Sequence, residues 1–268
     1  MNIKKKKIIL TIIAIVLLII VIFLAYLVIR KYVLKASLEE QVLPFAEKNE
    51  NTVFSINKIT LFSSADAKNK TSSSTNFTLE NLYQYTDIAF YIKSSSDEKN
   101  AENTFKDVSI SNIKFNKTPA VGEPHLYFKS INNFAQNNYP DDSNLINDSL
   151  KFNITSEDTA DLNTPTLYNN LANPITLSYV NSNVKTDYTI TDISTPITYD
   201  GSLLQRCNVP LEELACNLSF DVNITNNKDE EFKTTVFIDI PLTNDNQTIY
   251  NGNLKLEKDT NFKFYRYK

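Results

Sequence analysis

Few residues of this 268-residue chain are of a type that carries out chemistry, and their spacing narrows what they can do. The cysteines are Cys207 and Cys216, and the single histidine is His125. An even cysteine count suits a disulfide in an oxidising compartment. Cys207 ends one predicted strand and Cys216 begins the next, while NVPLEELA between them offers a proline turn and room for one helical turn, so the chain can double back. Closing so short a loop would stabilise a domain by about 2.5 kcal/mol on the chain-entropy model. A Cys207 to Cys216 disulfide is therefore expected in an exported protein. Zinc would need both cysteines, His125 and a carboxylate, at a spacing that fits no ribbon or finger. One imidazole also removes HEXXH proteases and every mechanism that needs two histidines.

A cysteine, a histidine and an arginine form the set that a sortase-type transpeptidase uses for acyl transfer. Arg206 precedes Cys207, and Arg266 would be the arginine for Cys216, but LLQRCN and ELACN do not match that family's TLxTC pattern, nor does an arginine shortly follow either cysteine. Carboxylates cluster at Asp141 with Asp142, at Glu157 and Asp158 with Asp161, and at Asp229 with Glu230 and Glu231. Such pairs can serve a hydrolase as acid and base, yet each lies in a polar turn and reads as solvated loop charge. Asp158, Asp161 and Asn163 have a spacing that suggests calcium, without the glycine of an EF-hand loop. Three glycines in the whole chain cannot build a Walker loop or a dinucleotide fingerprint, and no nucleophile elbow is present. No cofactor is expected. At the C-terminal end, FKFYRYK alternates Lys263, Tyr265 and Tyr267 with Phe262, Phe264 and Arg266, which offers a stacking platform or else a guarded edge strand.

The elements that would position these residues begin with an anchor. Residues 8–29 read IILTIIAIVLLIIVIFLAYLVI, 22 residues without a charge, where about 20 suffice to cross the hydrocarbon core. Summed insertion energies favour the bilayer by roughly 5 to 10 kcal/mol. A buried soluble helix would show a polar stripe at a period of 3.6 residues, and none is present. The stretch is too long for a signal-peptide h-region and ends in Arg30, Lys31 and Tyr32 without a small-residue cleavage pattern. Four lysines precede it and Arg30, Lys31 and Lys35 follow, so the positive-inside rule places residues 1–7 in the cytoplasm. Residues 30–50 continue helical spacing through Leu34, Leu38 and Val42 as a short stalk. No small-xxx-small pattern marks a membrane-driven dimer.

From residue 51 to 268 the period changes to two. Strands are predicted at 53–62, 87–93, 104–115, 125–130, 149–155, 175–181, 184–192, 196–199, 202–207, 216–225, 232–242, 254–258 and 262–268, with hairpins at Asp200-Gly201, Asn251-Gly252 and 226–230. Leu218, Phe220, Val222 and Ile224, answered by Val236, Ile238 and Ile240, form the expected heart of the core. Strands at this spacing without long helices imply an all-β ectodomain, an antiparallel β-sandwich or two of them, behind one N-terminal transmembrane helix. The polar stretch 156–174 is the candidate seam, and a loose echo between 87–113 and 218–240 suggests two units.

The first 35 residues carry seven positive charges and no acid, so against a chain total of −4 the remainder carries −11. An acidic ectodomain repels polyanions, so nucleic acid is not an expected partner. The expectation is a membrane-anchored bacterial surface protein, held in the lipid bilayer, whose extracellular β-sandwich binds an unknown protein or glycan partner or builds envelope structure. The alternative is an anchored cell-envelope enzyme, a hydrolase or transpeptidase.

Overall fold

The computed structural model describes residues 17, 21, 23–26, 28–29, 53–68, 70–73, 75–94, 104–137, 139–156, 163–169 and 173–267. The first eight of these are helical and exposed, Leu17, Val21, Phe23 and Leu24 among them. No helix among the described residues is long and apolar enough to cross a membrane. Most of the expected span at 8–29, and all of 1–7 and 30–50, lies outside them.

Asn51–Lys268 forms one compact unit of two sheets. The first holds β1 (Phe54–Lys68), β2 (Thr71–Ser72), β3 (Phe77–Phe90) and β4 (Lys93–Ser94), with β6 (Glu123–Phe128), β9 (Ile175–Ile190) and β12 (Leu254–Lys263). Its order is β12-β1-β3-β9-β6, with β2 on β3 and β4 on β1. The second holds β5 (Phe105–Lys117), β7 (Ser149–Thr155), β8 (Thr166–Tyr168), β10 (Asn217–Asn226), β11 (Glu231–Asp239) and β13 (Tyr265–Arg266), in the order β13-β11-β10-β5-β7-β8. Every pairing is antiparallel except β7 with β8. The expected all-β class is therefore observed, as a single sandwich. Strands on both sides of 156–174 share both sheets, and that stretch itself contributes β8.

Period-two alternation produces the core. On β10 and β11, Leu218 lies opposite Ile238, Phe220 opposite Val236 and Ile224 opposite Phe232, all buried. Their turn closes as expected, because Asn226 Oδ1 accepts from the amides of Lys228 and Glu230 and Asp229 takes φ 61°. Across the layers, Phe90 stacks on Phe220 at 6.1 Å and Phe54 meets Phe232 edge-on at 5.2 Å. Each such buried aromatic contributes about 1.5 to 3 kcal/mol through area removed from water.

The first sheet is longer than the second. Beyond the sandwich, Ala65, Ala67, Phe77, Leu79 and Leu82 bury against a short helix α1 (Ser202–Arg206) and the turns around it, through Leu203, Leu204, Leu214 and Ile249. Between the two apolar zones a polar belt runs across the same face, with Ser63 bonded to Thr86 at 2.6 Å and Asn181 donating to the Val121 carbonyl at 2.9 Å. A Cβ at Gly122 would lie 2.2 Å from Asn181 Oδ1, and its φ is +88°, so this corner requires glycine.

Several expected elements are corrected. Residues 202–207 form α1 instead of a strand, because Asp200 Oδ1 accepts from the Ser202 amide and hydroxyl and two adjacent leucines face the distal cluster. Asp200-Gly201 therefore opens a helix, not a hairpin; Gly201 is needed because a Cβ there would lie 2.2 Å from the Ile249 carbonyl. Asn251-Gly252 ends a 3-10 turn. Residues 196–199 are not strand, and 175–181 with 184–192 is the one strand β9, interrupted by a register shift. In the suspected repeat, 87–113 crosses between sheets whereas 218–240 stays in one, so the echo has no structural counterpart.

Both outer faces are polar or covered. On the first sheet, buried Asp87 pairs with Lys129 at 2.8 Å and accepts from Ser178 at 2.7 Å and from the Ala135 amide at 2.8 Å, which clips the loop after β6 down. On the second, Asp221 accepts from Lys233 at 2.6 Å, Thr235 at 2.6 Å and Asn112 at 3.0 Å. Burial pushes the Asp221 carboxyl up, and these bonds with the Lys233 charge more than offset it, holding it below the usual carboxylate range.

Replacing Lys129 with Met strands a buried carboxylate and should cost about 3 to 5 kcal/mol in chemical denaturation, whereas the double change Asp87→Leu, Lys129→Met should cost much less. Asp221, with its folded-state pKa depressed, contributes stability that is complete above its unfolded pKa of about 4 and lost as pH falls through the lower folded value. Asp221→Asn should accordingly destabilise the protein at pH 7, and the gap to the parent should narrow in denaturation curves below about pH 4.

Candidate functional site

A concavity on the surface of the sandwich follows from one chain crossing. β12 pairs with β1 in the first sheet, then the chain passes through buried Phe264, 6.2 Å from Phe54, and enters the second sheet as β13. β13 is only two residues long and covers β11 at Phe232 and Lys233. Past that point β11 and β12 belong to different sheets and diverge, which opens a wedge-shaped groove of about 550 Å³.

The floor of the groove is the sandwich core itself, Ile59 and Leu61 on β1 with Ile238 on β11, each nearly inaccessible. Leu256 lines one wall, Ile240 and Leu242 the other, and Phe237 stands at the mouth with 54% of its surface exposed. The rim carries charges of both signs, among them Asp239, Glu257 and Lys258. Glu257 accepts from Lys58 at 2.5 Å and lies 3.4 Å from Lys255, and the Lys58 bond holds the Glu257 carboxyl below its ordinary range. Asp239 accepts from Asn217 at 2.7 Å. Such a site offers apolar contact and strand-edge backbone groups.

The residues singled out from sequence are dispersed. Cys207 is a free thiol buried in the distal cluster, and Cys216 is a free thiol in the sandwich core beside Tyr179. The expected disulfide is not formed, because a 3-10 turn at Leu211–Leu214 intervenes and sends Leu214 into the distal cluster, leaving the two sulfurs in separate apolar zones. Burial pushes the Cys207 thiol up to about 11 and raises that of Cys216, so neither is a thiolate at neutral pH. His125 bonds through Nδ1 to the Glu123 carbonyl at 3.1 Å, Arg206 donates to Thr195 and to the Asp192 carbonyl, and Arg266 pairs with Glu230 at 2.8 Å.

The carboxylates serve turns. Asp141 accepts from the Ser143 amide, which holds its carboxyl below the usual range, and Asp229 pairs with Lys106. Glu157, Asp158 and Asp161 lie outside the described residues, and with them most of the calcium expectation. No group of three metal-ligating side chains converges among the described residues. The C-terminal platform is split: Phe264 is core, while Tyr265 and Tyr267 stay about half exposed.

A second aromatic zone covers the outer face of the first sheet. Tyr83, Tyr85 and Tyr127 are buried there, and burial pushes all three phenols well above their ordinary range. Lys68 stands 3.3 Å from the centre of the Tyr139 ring and Lys70 stands 3.7 Å from that of Tyr199, so the outermost rings carry cations on their faces. Those lysines occupy the ring faces that a stacked ligand would need.

The groove was not found from sequence because it depends on which sheet each strand joins. One signal was present. Residues 234–238 read TTVFI without a charge, whereas 255–259 read KLEKD. Compared with known protein families, with curated proteins and with solved structures, the chain matches none of them.

With both thiols buried and protonated, iodoacetamide at pH 7 should modify the native protein slowly. In denaturant without reductant, two thiols per chain should react rapidly, as read by mass spectrometry. One or no reactive thiol under those conditions would contradict the arrangement of Cys207 and Cys216.

Proposed function

We propose that the chain is a single-pass bacterial surface protein, with residues 1–7 cytoplasmic, 8–29 spanning the bilayer and 30–50 a stalk. On this reading the sandwich is extracellular and works as a binding module. The anchor rests on the 22 uncharged residues and on the lysine bias before them. The exposure of every described side chain between 17 and 29 suits contact with lipid.

The binding role rests chiefly on the groove between β11 and β12. Its apolar lining is open at the surface beside an exposed phenylalanine, a combination that marks interaction sites. Around it, the ionisable groups with candidate chemistry are taken up by turns, carbonyls and core packing. A partner recognised here meets apolar side chains and strand-edge backbone, which favours a protein over a glycan.

An impermeant protease added to intact cells should remove the domain beyond Asn51 and leave a membrane-associated fragment of the anchor. Digestion confined to lysed cells would overturn the orientation.

A further inference from the structure

We propose that the groove takes up one extended segment of another polypeptide, which pairs with β11 as an added strand. The inference rests on reading the domain as a binding module, and names what it binds. Among the described residues no strand lies along 234–239 on the side of β11 away from β10, because β13 pairs only with Phe232 and Lys233 and the chain leading into it, β12, belongs to the other sheet. An edge of this kind presents N–H and C=O groups in strand register, a row complementary only to another extended chain.

The two edges bordering the groove are treated differently. β12 carries the exposed charges Lys255, Glu257, Lys258 and Asp259, which discourage strand pairing. β11 presents Thr234, Thr235, Val236, Phe237 and Ile238, with no proline and high β propensity, and the one charge of the open stretch, Asp239 at its end, is already bonded to Asn217. The open edge is thus the one suited to pairing, and it lies along the apolar groove.

The groove specifies the segment further. Its apolar lining is recessed, with Ile59 and Leu61 each 2% exposed, so it is filled by side chains reaching inward from a strand held above. Alternate residues of an extended chain point to one face, so the segment has apolar residues at every second position. Both signs border the groove, Lys58, Lys255 and Lys258 beside Glu257 and Asp239, so the rim does not select a segment of one charge.

The full chain in lipid nanodiscs is titrated with a fluorescent peptide of six alternating threonines and valines between flanking lysines. A counterpart with proline at the third and fifth positions is the control. The first peptide should bind saturably and the second should not, and binding should slow amide exchange at 234–239 by about tenfold or more while β12 is unchanged. Phe237→Lys should weaken binding about tenfold and Phe237→Leu should largely preserve it, with exchange in β10 normal in both variants, which separates lost binding from lost folding.

Absence of binding, equal binding of the proline peptide, or protection located elsewhere would overturn the proposal. So would protection at 234–239 in the protein alone together with a doubled mass in sedimentation, which would assign the edge to a second copy. Membrane orientation is read independently by the protease experiment, so either conclusion can fail without the other.

Discussion

Three neighbouring strands of the first sheet, β1, β3 and β9, run for 15, 14 and 16 residues. At about 3.3 Å per residue they reach roughly 50 Å, whereas a ten-residue strand such as β10 reaches about 33 Å. The first sheet is left uncovered by the second at one end. Its inner face is therefore buried twice, by the second sheet at one end and by α1 with its neighbouring turns at the other. The separation of Cys207 from Cys216 follows from this, since one belongs to each covering.

Where the coverings meet, the shared face turns polar at Ser63, Thr86, Gln84 and Asn181. Buried polar groups are costly unless bonded, but they also fix register, because a shift by one residue would point them to the other face. The Asp87 and Lys129 pair acts similarly on the outer side, by fixing where a loop docks more than by adding net stability. The long strands thus have polar markers on both faces, and these limit the ways in which three similar ladders can slide past one another.

Much of the sandwich was legible in the sequence, and the exceptions have physical causes. The β10 and β11 hairpin was clear because alternation is a local signal and its turn has Asn and Asp at the right places. β9 read as two strands because Asn181, Ser182 and Asn183 interrupt its apolar run; in the fold these residues face a bulge and Asn183 bonds to Asn81. α1 read as a strand because five residues are too few for a period of 3.6 to differ from two. The groove was the least legible feature, since nothing local to 254–263 tells which sheet it joins. The scarcity of histidine, cysteine and glycine argued in the sequence against particular chemistries, but it pointed to no place on the fold.

β1 is also the strand through which the described domain connects to everything before residue 53. It lies between β3 and β12, paired with β12 over 55–63 and with β3 over 59–68, and the Phe54 carbonyl accepts from the Phe264 amide at 3.1 Å. A pull on the chain ahead of Phe54 therefore loads two long ladders in shear, so that many hydrogen bonds must break together instead of unzipping one at a time. The first strand of the domain is thus gripped from both sides, so force applied at its leading end meets resistance from the whole width of the sheet instead of from one edge.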